Sequence, residues 1–174
     1  MMTNFKEGLA EVKAFIFDID GVLSLQTISL NAFGVPNRTV NLRDGYAMQL
    51  AVKKGYRIGI ISGSNSKDYK KRLRLLGITD IFLTSKNKLE DYNSFKKKYN
   101  LKDSEILFMG DDIPDFEVMK VAGIPVCPSD ADSEIKQIAL YISDKKGGQG
   151  CVRDVIEQVL RLNNNWMDSD AFTW

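Results

Sequence analysis

Phe15-Ile16-Phe17-Asp18-Ile19-Asp20-Gly21-Val22 is the stretch that decides the fold. Ala14 to Phe17 is an apolar run without helical period, the pattern of a strand buried on both faces of a parallel sheet. It ends in two carboxylates two positions apart and a glycine. In an extended strand, positions i and i+2 point the same way, so Asp18 and Asp20 should project together from the strand's C-terminal end. Open α/β sheets place their ligand crevice at that end. Two adjacent carboxylates repel, and a divalent cation or a shared proton relieves them. Hard oxygen donors suit magnesium, which keeps waters and accepts phosphate as a further ligand. Taken alone, Asp-x-Asp-Gly also reads as an Asp-rich turn closing a strand.

Outward from this stretch, strand and helix alternate. After Gly21, residues 22–41 lack helical period. Thr27-Ile28-Ser29-Leu30 alternates and Arg38-Thr39-Val40 can form a second short strand, so the segment reads as a β-hairpin flap. Asp44 is placed to cap a helix ending at Lys54-Gly55, and Arg57 to Ile61 is the second buried strand, running into Ser62-Gly63-Ser64. Ser66 can cap a helix carrying Tyr69, Leu73 and Leu76 on one side. Further strands are expected at 81–83, 106–109, 124–127 and 141–142. Pro125 suggests an edge or a strand start for the fifth. Helices are expected from Lys88 to Tyr99, Pro114 to Val121, Asp130 to Ala139 and Val152 to Leu162. Gly147-Gly148-Gln149-Gly150 reads as a flexible hinge, and residues 163–174 as a frayed tail with three exposed aromatics. The pattern is that of an α/β, doubly wound, mostly parallel sheet in a single domain spanning 1–174.

Composition narrows the chemistry. The 174 residues carry a formal charge of +1, which leaves no nucleic-acid footprint. No histidine is present, which removes His-based triads and His metal sites. Two cysteines without repeated spacing argue against a disulfide framework and fit a reducing cytoplasm. No stretch is apolar enough to span a membrane, and no secretory signal opens the chain.

Three strands should end in polar clusters on one sheet edge: Asp18/Asp20, Ser62/Gly63 and Asp111/Asp112/Asp115. Lys88 opens a helix between the last two. Acidic groups at two strand ends can hold a cation, while a hydroxyl, backbone amides and an ammonium can hold phosphate. A carboxylate facing that phosphate can act as nucleophile.

These pieces, in this order, resemble the motif set of the haloacid dehalogenase superfamily over nearly the whole chain. The resemblance implies a Rossmann-like fold with Asp18 as nucleophile and Asp20 as general acid and then base. Mg²⁺ would be held by Asp18, the Asp20 backbone carbonyl and Asp111. Ser62, Gly63 and Lys88 would bind phosphate, with Asp112 and Asp115 in supporting roles. Lys86 competes with Lys88, which is preferred because it opens the helix. Some forty residues separate Asp20 from Ser62, too few for a cap domain. The site is therefore expected to be uncapped and open.

Asn41-Leu42-Arg43-Asp44-Gly45-Tyr46 and Gly147 to Asp154 further resemble the 3-deoxy-D-manno-octulosonate 8-phosphate phosphatase family, which serves lipopolysaccharide synthesis. That resemblance implies a homotetramer with the flap at the subunit interface and tails that reach a neighbour's site. It also implies sugar-acid contacts from Asn41, Leu42, Arg43, Asp44, Gly45 and Arg72. Ser64 and Gln49 stand where many members have arginine, which leaves eight- and nine-carbon sugar acids both open. A non-catalytic relic of the fold is the alternative from another class, disfavoured by the intact acidic pairs. A mutase would normally need a cap, and a receiver domain would place its phosphoacceptor on a later strand.

Overall fold

The computed structural model describes residues 4–173. The elements follow in the order α1 (Phe5–Leu9), β1 (Ala14–Phe17), α2 (Leu42–Lys53), β2 (Arg57–Ile61), α3 (Lys67–Leu75), β3 (Asp80–Phe82), α4 (Lys88–Lys98), β4 (Ile106–Met109), α5 (Phe116–Val121), β5 (Ile124–Cys127), α6 (Ser133–Ile138), β6 (Tyr141–Ile142) and α7 (Cys151–Leu162). The strands form one sheet in the order β3-β2-β1-β4-β5-β6, and each neighbouring pair is parallel.

Alternation along the buried strands divides the core in two. Phe15, Phe17, Leu107 and Met109 point to one face, where they meet α2, α3 and α7 through Met48, Leu73, Val155 and Val159. Ala14, Ile16, Ile106 and Phe108 point to the other, against Tyr92 and Phe95 of α4, Met119 of α5 and Ile135 of α6. The chain moves outward from β1 through β2 to β3, then returns to lay β4 on the opposite side of β1. The sheet reverses order between β1 and β4, and that switch point is where a ligand crevice opens. Asp18 and Asp111 follow these two strands, which are in register at Phe17 and Met109.

Several local expectations are corrected. The flap is a hairpin with almost no ladder. Leu30 and Pro36 make one antiparallel bridge, while the Asn31 side chain accepts from the N–H groups of Phe33 and Val35. Residues 38–40 form no strand, because side chains take over the backbone groups there. Thr39 N–H donates to Ser24 Oγ at 2.9 Å, and Leu25 N–H donates to Thr39 Oγ1 at 3.0 Å. Asn41, not Asp44, caps α2: its Oδ1 accepts from the N–H groups of Arg43 and Asp44. Pro125 lies in an interior strand. Its carbonyl accepts from Leu140 N–H, just before the two-residue β6 begins, so its missing donor faces the short edge strand.

The segment Gly147 to Gly150 is a packed corner, not a hinge. A Cβ on Gly147 would lie 1.9 Å from the Gly21 carbonyl oxygen. Gly147 N–H donates to Asp130 Oδ1, and Gly148 N–H donates to the Val22 carbonyl. The tail is docked rather than frayed. Trp166 is buried against Tyr46 of α2, with the guanidinium groups of Arg153 and Arg161 over its ring at 5.0 and 5.7 Å. Lys54 pairs with Asp168 and Asp170, and Tyr46 Oη donates to the Ala171 carbonyl. Phe172 stays exposed, and Trp174 lies outside the described residues. Among the described residues, no helix is long and apolar enough to cross a membrane.

Candidate active site

At the end of β1 the chain keeps Asp18 in line with the strand, its N–H donating to the Met109 carbonyl at 3.2 Å. It then turns through Gly21, whose φ of +85° is a left-handed conformation that glycine adopts without strain. A Cβ at Gly21 would sit 1.9 Å from Asp111 Oδ2. The glycine therefore gives the turn its shape and clears the space that the second acidic strand end occupies.

Asp18, Asp111 and Asp115 are all buried, and one carboxylate oxygen of each lies within 4.8 Å of the others. Asp115 has both oxygens engaged: Oδ1 accepts from Lys88 Nζ at 2.7 Å and Oδ2 from Asp111 N–H at 3.1 Å. Lys88 Nζ also stands 3.1 Å from Asp18 Oδ1. That ion pair is not aligned as a hydrogen bond, so Asp18 Oδ1 and Asp111 Oδ1 are buried without a hydrogen-bond partner. Burial, and then repulsion from Asp115, raises the Asp18 carboxyl to about 7 against the pull of Lys88. Burial, with Asp18 and Asp115 close by, raises Asp111 to about 8. For Lys88, burial opposes the charge, but Asp18 and Asp115 outweigh it and raise its pKa.

Two orphaned carboxylate oxygens, on groups that approach within 4.8 Å at the switch point, form a donor set that a hard divalent cation satisfies. Such a cation would return both groups to carboxylates. Asp18 and Asp111 fit as its side-chain ligands, whereas Asp115 is committed to Lys88 and the backbone.

The remaining motif residues line the same cleft, whose volume is about 1210 Å³. Ser62 is buried at the end of β2, its Oγ 3.1 Å from Ser64 Oγ, with Gly63 beside it. Lys86 also lines the cleft, but Lys88 is the lysine that reaches the carboxylates. Asp112 is exposed and accepts from Ile113 N–H, so it caps the turn before α5 and leaves Lys88 to Asp115.

Asn41, Leu42, Arg43, Asp44, Gly45 and Arg72 are not among the residues lining this cleft. Asn41, Asp44, Gly45 and Arg72 do meet one another, around a void of about 10 Å³ that has room for one water. Asp44 is buried and accepts from Arg153 N–H at 2.7 Å. It thereby caps α7, whose own cap position is the side-chain-free Gly150. Burial raises its carboxyl to about 6, against those hydrogen bonds. Leu42 is exposed, and Arg43 lines a separate groove with Gln149 and Arg153.

Two residues in the cleft escaped the sequence reading, and both come from the flap. Arg38 grips Asp20 with a fork, Nε to Oδ1 and Nη2 to Oδ2, each at 2.8 Å. Gln26 Nε2 donates to Asp111 Oδ2 and to the Asp130 carbonyl, each at 3.1 Å. An isolated arginine and glutamine in an irregular loop carry no spacing signal that would find them.

A family model described as haloacid dehalogenase-like hydrolase matches residues 37–123. The chain belongs to the haloacid dehalogenase-like hydrolases. This hydrolase is 32% identical over 149 residues to the 3-deoxy-D-manno-octulosonate 8-phosphate phosphatase of Escherichia coli, spanning 86% of this chain and 79% of that one. The solved phosphatase of the same name from Moraxella catarrhalis, in complex with magnesium, phosphate and KDO, superposes with a TM-score of 0.88. It is 30% identical, with 95% of each chain covered. The Yersinia pestis phosphatase superposes with a TM-score of 0.89 at 28% identity, covering 93% of this chain and 88% of that one. With these relatives, the chain is a phosphoric monoester hydrolase.

Proposed function

We propose that this phosphatase is Mg²⁺-dependent and hydrolyses a sugar-acid phosphate, with 3-deoxy-D-manno-octulosonate 8-phosphate as the leading substrate. The observation that carries the reading is the pair of orphaned oxygens on Asp18 and Asp111, set beside Lys88 at the switch point of the sheet. The names of the Escherichia coli and Moraxella catarrhalis relatives support the substrate class.

In this reading the free Asp18 oxygen attacks phosphorus, and the bond to the leaving alcohol breaks as the aspartyl-phosphate forms. Asp20 gives the alcohol its proton, then takes one from the water that hydrolyses the acyl phosphate. Lys88, held by Asp115, and the Ser62 hydroxyl with the Gly63 amide hold the phosphoryl oxygens. Asp18, Asp111 and the Asp20 carbonyl would hold magnesium, which would supply charge neutralisation for the transferring group. Asp115 orients Lys88, while Asp112 shapes the turn. Asn41 to Gly45 and Arg72 lie outside the cleft of their own chain, and Asp44 and Gly45 are buried, so sugar-acid contacts in this reading come from Asn41, Leu42, Arg43 and Arg72 and belong to a cleft completed by a neighbouring subunit. We place the chain, as one domain, in a cytoplasmic homotetramer with the flap at the interface. Its exposed Leu30, Phe33 and Val35 support the interface, and the free, buried Cys127 and Cys151 support the compartment.

A panel of eight- and nine-carbon sugar-acid phosphates and common hexose phosphates at fixed Mg²⁺ tests this. The expected result is a clear preference for one sugar acid, turnover stopped by EDTA, and none in a folded Asp18→Asn variant. Equal rates on hexose phosphates would remove the sugar-acid claim, and a nine-carbon preference would move the substrate to that class. Purified protein inert on every phosphate ester would return it to a non-catalytic relic.

A further inference from the structure

The flap is tied to the cleft at one point and to its own base at another. Gln26 bridges Asp111 and the Asp130 carbonyl across the cleft. Within the flap, Thr39 is fastened to Ser24 through its N–H and its hydroxyl, 2.9 and 3.2 Å from Ser24 Oγ. Arg38 lies next to this fastening. Its side chain is only 9% exposed, whereas that of Asp20 is 42% exposed. Asp20 sits on the turn beyond β1, and among the described residues Arg38 is the only side chain that hydrogen-bonds to its carboxylate. Without the fork, both side-chain torsions of Asp20 would be free at an open cleft mouth.

We propose that Arg38 is the positioning residue for Asp20. The planar guanidinium fixes the plane and direction of the carboxylate, so that when Asp20 takes up a proton from solvent the protonated oxygen turns from Arg38 to the leaving-group oxygen while the other keeps its guanidinium contact, with little reorganisation. An uncapped enzyme thereby obtains from its flap the ordering of the acid–base group that a cap would otherwise provide. This rests on the assignment of Asp20 as the group that protonates the leaving alcohol.

The test compares wild type, Arg38→Ala, Arg38→Gln, Arg38→Lys and Asp20→Asn on two substrates, an alkyl phosphate and p-nitrophenyl phosphate. The aryl leaving group departs without a proton, so only the alkyl ester needs the acid. Arg38→Ala should lower kcat for the alkyl phosphate roughly 10- to 100-fold, within the range of a general-acid contribution. Its KM should stay within about threefold. The alkyl-to-aryl ratio of kcat/KM should fall tenfold or more, in the same direction as in Asp20→Asn. Arg38→Lys keeps the charge without the fork and should recover only part of the loss. Should Arg38→Ala shift the thermal midpoint, the near-isosteric Arg38→Gln carries the comparison. An unchanged ratio, with both substrates slowed alike, would make Arg38 a flap-shaping residue and overturn the proposal. So would a raised KM at unchanged kcat, which would make it a substrate binder. Failure of the underlying reading looks different: Asp20→Asn would then leave the ratio unchanged, or Asp18→Asn would remain active.

Discussion

Trp166→Ala is the sharpest probe of where the C-terminal tail belongs. The indole is 5% exposed, sits edge-on to Tyr46 at 6.1 Å and lies beneath Arg153 and Arg161. A buried aromatic of this size removes about 150–250 Å² from water. At about 25 cal/mol per Å² that amounts to roughly 4–6 kcal/mol. Measured Trp→Ala losses of about 3–5 kcal/mol set the realistic range, because a surface-docked tail relaxes more readily than a sheet core. For a chain of this length each kcal/mol moves the midpoint by about 2–4 °C. A loss near 4 kcal/mol therefore predicts a midpoint lower by roughly 8–16 °C. Thermal unfolding followed by circular dichroism reads this, alongside kcat/KM for p-nitrophenyl phosphate well below the new midpoint. The site should keep its activity, since none of the residues lining the Asp18 cleft belongs to the tail. A midpoint shift below about 3 °C would refute the docking of residues 165–173 on their own α2. Loss of activity at unchanged stability would do so too, and would place the tail in a neighbour's site, as the family resemblance implies.

Three other outcomes are expected. With metal removed, stability should fall as pH rises from about 4 to 8, because the folded-state pKa values of Asp18 (about 7) and Asp111 (about 8) lie above their unfolded values. Their contribution is fully present below the unfolded pKa and lost on passing through the folded one. Mg²⁺ should therefore raise the thermal midpoint more at pH 8 than at pH 5, and an equal rise at both would contradict the two-carboxylate site. Gly21→Ala should cost at least about 1–2 kcal/mol for the left-handed backbone and displace Asp111, so magnesium affinity by calorimetry should fall along with the midpoint; a variant binding metal normally would show that the turn tolerates a Cβ. Asp44→Ala should lose about 1–2 kcal/mol by uncapping α7, while Asp44→Asn retains most of the cap; equal losses in a urea melt would show that the charge, not the hydrogen bond to Arg153 N–H, is what matters.

The parallel sheet, its crevice and the residues at its edge were legible in the chain itself, because each rests on local chemistry. Apolar runs without helical period make buried strands wherever they occur; Asp18 and Ser62 stand directly after one, and Asp111 one residue further on. Lys88 opens α4 as its place before the helical run suggests, and Asn87 caps that helix. What tertiary structure alone decided is which groups meet across long separations. Arg38 finds Asp20, Gln26 finds Asp111, Asp44 caps a helix 107 residues further along the chain, and Trp166 returns to α2. None of these contacts follows from periodicity or propensity. Each depends on the relative placement of elements that only the assembled sheet and its two helical layers determine. The same holds for the corner at Gly147. Its composition reads as flexibility, but the backbone of Gly21 against it leaves no room for a side chain. Glycine there serves close approach rather than motion, a difference that appears only once the two segments are side by side.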